Sequence, residues 1–194
     1  MILYILLPIA SYLIASIPFG LLISKLFYGL DIRTVGSGNI GATNVTRNCG
    51  KVAGISTFIL DFIKGIAVLL PSAYWAEASH DLQILICVAA VLGHSFSIYL
   101  KFKGGKSVAI SFACIFALYP PLAIVFMLFW LGVMAVFRKV GLASVATCIT
   151  IVISALQIVI FTRTFKDAAF LLMVAFLVIA KHLPNIREIR EKLK

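Results

Sequence analysis

Acidic residues are scarce in this chain: Asp and Glu number 7 against 17 Lys and Arg in 194 residues, and charged residues of both signs make up only 12%. Hydrophobic residues make up 62%. A soluble domain of this size has no use for so much apolar surface, and the long apolar runs call for lipid instead. Paired cysteine spacing is also missing. Cys49, Cys87, Cys114 and Cys148 form no CxxC, which argues against a disulfide framework or a thiolate metal site. The last three fall in apolar segments, where a thiol behaves as a small hydrophobe. No sizeable extramembrane segment is present, so chemistry must lie in short loops and at helix ends.

Within a bilayer every backbone group needs an internal partner, so a spanning chain is helical or a closed barrel. The apolar runs here are continuous rather than alternating, which selects helices. The expected class is therefore all-α, a polytopic membrane protein forming a single domain over 1–194. Met1–Phe27 lacks a basic leader and exceeds a signal-peptide core, so it reads as a retained first span. Seven spans follow at roughly 2–27, 52–74, 82–100, 107–119, 122–137, 142–161 and 168–183.

The apolar stretch Ser107–Phe137 is interrupted by Pro120-Pro121, and fits either one kinked helix or two short helices in a hairpin. The positive-inside rule decides. With a hairpin, Lys25, Arg33, Arg47, Lys51, Lys101, Lys103, Lys106, Arg138, Lys139, Lys181, Arg187, Arg190, Lys192 and Lys194 share one side, fourteen of the seventeen basic residues. Arg163 and Lys166 fall on the other, where the Glu77–Asp81 loop has no Lys or Arg. The expected orientation is N-terminus outside and C-terminus cytoplasmic. The net charge of +10 is then mostly topology, not a nucleic-acid surface.

Four polar segments gather on the cytoplasmic side. The first is Ser37-Gly38-Asn39-Ile40-Gly41-Ala42-Thr43-Asn44-Val45-Thr46-Arg47. Glycines let backbone N–H groups converge on an anion, and Arg47 offers a planar fork of donors that fits phosphate. A plain turn would use the same small residues; the density of donors beside an arginine favours an anion site. The second is Lys101-Phe102-Lys103-Gly104-Gly105-Lys106-Ser107. It fails as a P-loop, since that spacing requires glycine where Leu100 stands. Gly104 and Gly105 ahead of a helix start, with Lys106, still suit phosphate, while Lys101 and Lys103 suit lipid headgroups. The third is Lys181-His182-Leu183-Pro184-Asn185-Ile186-Arg187-Glu188, where His182 and Asn185 share a face if the segment is helical. The fourth is Ser144, a helix-start serine whose ordinary role is capping.

Deeper in the chain, Asp61 and Lys64 stand at i and i+3 inside the second span. They read as an ion pair rather than a relay, since no chain of acids or histidines continues from them. His94 reads as a hydrogen-bonded helix histidine, with support of the loops as the alternative. Gly50 and Gly54 form a GxxxG, common where helices touch.

Taken in order, Ser37–Asn44, Gly93–Ser107 and His182–Asn185 resemble the three signature regions of the bacterial acyl-phosphate:glycerol-3-phosphate acyltransferases, the PlsY family. SGNIGATN is the most specific of them, and Arg47 follows as in the family. Departures are Ser107 in place of the last glycine of GGKG, no proline near Ser97, and a different continuation beyond Glu188. The resemblance implies acyl transfer from acyl phosphate to the 1-hydroxyl of glycerol 3-phosphate, giving lysophosphatidic acid and phosphate at the cytoplasmic face of the bacterial inner membrane. It implies no cofactor, and the chain has neither a metal-ligand cluster nor the HxxxxD of acyl-CoA-dependent enzymes. On this reading Arg47, Lys106, His182 and Asn185 are catalytic. Ser37, Gly38, Asn39, Gly41, Thr43, Asn44, Gly104, Gly105, Ser107 and Ser144 bind substrate, with Thr43 or Asn44 polarising the acyl carbonyl. The proton acceptor is His182 or the departing phosphate. A small transporter of a phosphorylated solute is the rival class, and would want polar residues facing both membrane sides.

Overall fold

The computed structural model describes residues 2–74 and 79–191, with side chains for 2–72 and 79–183. Among these, all regular structure is helical. The helices are α1 (Leu3–Ala15), α2 (Phe19–Tyr28), α3 (Ala42–Cys49), α4 (Lys51–Ala67), α5 (Leu70–Tyr74), α6 (His80–Ser95), α7 (Val108–Leu118), α8 (Pro120–Phe137), α9 (Val140–Phe161) and α10 (Phe165–Glu191), with a 3-10 turn at Ile98–Leu100. They fall into two compact units, Met1–Leu118 and Tyr119–Lys194.

Their outer surfaces are apolar. Val52, Leu128, Phe161 and Phe176 are 76%, 61%, 80% and 69% exposed, and of the eighteen residues of α8 only Ala123 and Phe126 are buried. Water would not tolerate such a surface; lipid does. Five stretches are long and apolar enough to cross a bilayer: Leu3–Tyr28, Lys51–Ser72, His80–Leu100, Pro120–Phe137 and Val140–Phe161. The two remaining expected spans are different in kind. α7 has 11 residues, about 16 Å of helix against a hydrocarbon core of about 30 Å. α10 carries Lys166, Asp167 and Lys181 along its described part.

Two expected helices are broken. The first span divides at Ser16–Pro18, because Pro18 has no N–H to continue the ladder and restricts the residue before it. The third stops as α-helix at Ser95, before the 3-10 turn. The proline interruption does separate two helices, with Tyr119 non-helical between them and both prolines in the first turn of α8, where a missing N–H costs nothing.

In the first unit, α1 packs on α6 and α4 packs on α3 and α7. Small residues and hydroxyls make these contacts close. Ser11 Oγ donates to Ile86 O at 2.8 Å and Ser16 Oγ to Gly93 O at 3.1 Å. The GxxxG glycine Gly54 lies directly against Thr46. Leu21, Ile32, Ile40, Val45, Ala53 and Leu100 form a buried cluster beneath the segment that joins α2 to α3. In the second unit α9 packs on α8 and α10, and Tyr119 Oη donates to the carboxylate of Asp167. The four cysteines are free and buried.

Candidate phosphate-binding site

The α2–α3 segment is organised from inside by one side chain. Asn44, only 2% exposed, accepts at Oδ1 from the Ser37 N–H at 3.0 Å and from Asn48 Nδ2 at 3.1 Å. Its own Nδ2 donates to Ile32 O, Val35 O and Asn39 O at 3.1, 3.1 and 3.0 Å. A primary amide has two donor hydrogens and one acceptor oxygen, so this one is fully engaged. Asn44 therefore clasps the loop from within, its amide committed to backbone and to Asn48. Gly36 has φ +58°, and a side chain there would run into the Asn44 amide. Gly38 has φ +65°. Asn39 Oδ1 accepts from Gly41 N–H at 2.9 Å at the entry to α3, the Asx-turn geometry common before helices. The result leaves Ser37 and Gly38 exposed and Thr43 half-buried at the surface of the clasp.

Arg47 extends from the last turn of α3 and is exposed. Arg33, in the same α2–α3 segment, is already committed: its Nε and Nη2 lie 2.9 and 2.6 Å from the two oxygens of Asp31, and Lys25 is 3.4 Å from Asp31. These cations hold the Asp31 carboxyl well below the usual range. Arg47 and Lys106 have no such partner among the described residues.

The second loop is shaped by what it lies on. Gly105 N–H donates to His94 O at 2.9 Å and Gly104 N–H to Ser95 O at 3.2 Å. A side chain on Gly104 would strike the backbone of His94 and Ser95, and one on Gly105 would strike the His94 ring. Lys101, Phe102 and Ser107 have φ of +52°, +63° and +58°, conformations that persist only where surroundings impose them. Ser107 is 1% exposed, and its hydroxyl turns inward to Ser95 Oγ at 2.5 Å and Val91 O at 3.2 Å. These two contacts hold the loop down.

Lys106 is half-buried between these anchors. Burial pushes its pKa below 10.5, and the charge of Arg47 pushes it further the same way. The two loops thus bring Arg47 and Lys106 near enough for the charge of one to act on the other, and an anion bound by both would relieve that repulsion.

In the second unit, α10 continues helically through Pro184 to Glu191, so positions 182 and 185 do stand three apart in one helix. The side chain of Asn185 lies outside the described residues. His182 is 4% exposed and its Nδ1 is 2.7 Å from Val178 O. A carbonyl accepts only, so Nδ1 carries the proton and Nε2 of the neutral ring is an acceptor. Ser144, 3% exposed, donates to Val140 O at 3.0 Å and accepts from Trp130 Nε1 at 3.1 Å. It ties α8 to α9.

Sequence reasoning missed Ser95 and Ser97, while for His94 support of the loops stood as the alternative reading. Ser97 Oγ donates to Ser16 O at 2.6 Å at the break between α1 and α2. The only signal was a cluster of small polar residues at the end of an otherwise apolar run.

A family model described as glycerol-3-phosphate acyltransferase matches residues 5–192. A glycerol-3-phosphate acyltransferase of Lacticaseibacillus casei (strain BL23) is 40% identical over 183 residues, covering 94% of this chain and 86% of that protein. One from Streptococcus pneumoniae (strain CGSP14) is 38% identical over 194 residues, covering 97% and 90%. The crystal structure of PlsY, an integral membrane glycerol 3-phosphate acyltransferase, in its glycerol 3-phosphate form superposes with a TM-score of 0.83 at 36% identity, over 97% of this chain and 92% of that one. Its lysophosphatidic acid form gives 0.82 at 35% identity, over the same shares of the two chains.

Proposed function

This chain belongs to the glycerol-3-phosphate acyltransferase family, and from that premise we propose that it transfers a fatty acyl group from acyl phosphate to the 1-hydroxyl of glycerol 3-phosphate. The products are lysophosphatidic acid and inorganic phosphate, in phospholipid synthesis. The observation that supports the donor assignment is the presence of two separately built glycine-rich loops, one carrying the exposed Arg47 and the other the half-buried Lys106. Both substrates carry phosphate, and this surface offers two sets of phosphate donors.

In the reaction the 1-hydroxyl oxygen attacks the acyl carbonyl carbon, the carbonyl–phosphate C–O bond breaks, and phosphate leaves with the electron pair. Arg47 and Lys106 hold the anions and stabilise the developing oxyanion, while Gly38, Gly41, Gly104 and Gly105, whose own N–H groups bond within the fold, let substrate approach the backbone closely. The Ser37 and Thr43 hydroxyls add donors at the same surface. Acyl phosphate is an activated donor, so orientation supplies much of the acceleration. The leaving phosphate takes the hydroxyl proton, and His182 Nε2 and Asn185 orient the glycerol hydroxyls. Asn44, Ser107 and Ser144 act on the fold of the loops rather than on substrate.

The chain crosses the bacterial cytoplasmic membrane seven times, N-terminus outside, as one functional domain with its site toward the cytoplasm. The weight of basic residues on one side supports this, α7 and α10 completing the five longer spans.

The test is purified protein given acyl phosphate and glycerol 3-phosphate, with phosphate and acylated product measured together. Stoichiometric release of both is expected. Product formed from acyl-CoA and not from acyl phosphate would overturn the donor, and no product from either would overturn the reaction.

A further inference from the structure

The mechanism above leaves a buried charged cluster unused. Asp61 and Lys64, each 4% exposed, lie on α4 with Lys64 Nζ 2.7 Å from Asp61 Oδ1. Charge inside an apolar helix is costly and persists where it serves a purpose. An i,i+3 pair needs nothing beyond its own helix, yet this one reaches two other elements.

Lys64 Nζ donates to Ile17 O at 2.7 Å, a carbonyl at the Pro18 break in the first span that also accepts from the Phe19 N–H at 3.2 Å. The ammonium also lies 5.4 Å from the centre of the Phe19 ring, within cation–π range. On the other side, His94 Nδ1 faces Asp61 Oδ1 at 3.8 Å. That is too long for a hydrogen bond and close enough to orient the imidazole by charge. The opposite nitrogen of the same ring, Nε2, occupies the place where a Gly105 side chain would stand, and the His94 carbonyl holds the Gly105 N–H. Ile17, Lys64, Asp61, His94 and Gly105 thus form a continuous chain from the break in the first span to the residue before Lys106.

We propose that Asp61, Lys64 and His94 are positioning residues for the Lys106 loop, and that Gly105 is glycine because the His94 ring fills the space of its side chain. The ion pair fixes the ring, the ring and its carbonyl fix the Gly104–Gly105 turn, and the turn sets where the Lys106 ammonium points. The three residues touch no substrate. Buried packing transmits a shift in the ring to the loop because neighbouring groups have no free volume to absorb it. The assignment of Lys106 to phosphate rests on the function proposed above; the seating of the loop on His94 does not.

The experiment compares Gly105→Ala, His94→Ala and the double variant as purified proteins, reading KM for each substrate and kcat, with thermal unfolding as a control. Gly105→Ala is expected to raise KM for a phosphate substrate about tenfold or more, because its methyl displaces the ring or the loop. His94→Ala alone is expected to raise the same KM. In the double variant the methyl enters the space the ring has left, so its KM falls below the product of the two single effects. Effects that multiply would overturn the proposal, since Gly105 would then be glycine for the substrate's sake.

A second readout does not depend on turnover. Acetylation of the Lys106 amine by a soluble reagent, followed by mass spectrometry, reports the exposure of the loop. Asp61→Asn, Lys64→Met and His94→Ala are each expected to raise its rate severalfold, and His94→Gln to raise it less. Unchanged labelling in all four folded variants would overturn the proposal. Wild-type activity in Lys106→Ala would instead overturn the phosphate reading and leave the seating of the loop to be judged by labelling alone.

Discussion

The two glycine-rich loops reach similar ends by different means. The α2–α3 loop carries its organiser within itself: Asn44 binds backbone at positions 32, 35, 37 and 39, none more than twelve residues away. The loop before α7 is pressed into shape by residues from elsewhere, with His94 and Ser95 beneath it and Ser107 anchored to Val91. Local hydrogen bonding shapes the first and tertiary packing the second. The first should therefore fail by losing its clasp, and the second by losing its floor.

The largest effect separates neither loop but joins them. Arg47→Ala removes one of the two cations we propose for holding phosphate and is expected to lower kcat/KM by about a thousandfold, the upper range for losing a preorganised donor. Membrane insertion and thermal stability should stay unchanged, because the side chain is exposed and without a partner among the described residues. Arg47→Lys should recover only part, since an ammonium lacks the planar fork. Steady-state rates beside an unfolding curve decide this; equal loss of stability would make Arg47 a fold residue.

Lys106 offers a sharper comparison through pH. Burial and then Arg47 lower its pKa below 10.5, and the ammonium is the form that holds phosphate. Affinity is therefore full below the depressed pKa and falls as pH rises through it, earlier than for an ordinary lysine. Stability of the unliganded protein moves the other way. A lysine disfavoured as a cation in the fold costs stability while charged, and that cost is gone above its unfolded pKa. Lys106→Arg should remove the alkaline rise in KM across the accessible range, at a modest cost in rate from the larger head. A rise that persists in Lys106→Arg would assign the titration to another group.

Asn44→Ala tests the clasp. It removes bonds to four backbone groups and to Asn48, and a buried polar group left unpaired costs about 1–3 kcal/mol; with partial relaxation, a loss of about 3 kcal/mol is expected. KM should rise with the loss of stability. The contrast is with Arg47→Ala, where rate falls alone. Asn44→Asp retains the acceptor for the Ser37 N–H but not the three donations, so it should resemble Asn44→Ala. If it behaved as wild type, the acceptor alone would be the clasp.

This contrast also explains what the sequence could and could not convey. The α2–α3 loop was recognisable from its own letters, because glycine, asparagine and serine build local turns. The second loop defeated a local motif search at Leu100, since its geometry depends on His94 and on Asp61 some forty residues earlier. Asn44, Ser107 and Ser144 stood out in the sequence as polar residues in loops and at helix starts, but a hydroxyl or amide serves ligand and backbone equally well, and only packing decides which. Apolar runs located the five stretches long enough to cross a bilayer, whereas the break at Pro18 was hidden by apolar residues on both sides. The Asp61–Lys64 pair was legible from its spacing alone; its reach to Ile17 and His94 was not.

The smallest effect belongs to Ser107. At φ +58° a serine carries about 1 kcal/mol of backbone strain that glycine does not. Against that gain, Ser107→Gly gives up the bond to Val91 O and the contact with Ser95, and admits more unfolded-state freedom. Each opposing contribution is about 1 kcal/mol, so the net change in stability should be a loss within about 1–2 kcal/mol. KM for both substrates should stay within about twofold, because the hydroxyl points inward to α6. A tenfold rise in KM at unchanged stability would return Ser107 to the substrate and mean that its hydroxyl turns outward when phosphate binds. The two loops would then differ less than their unliganded structures suggest, since the second would also present a side-chain donor of its own.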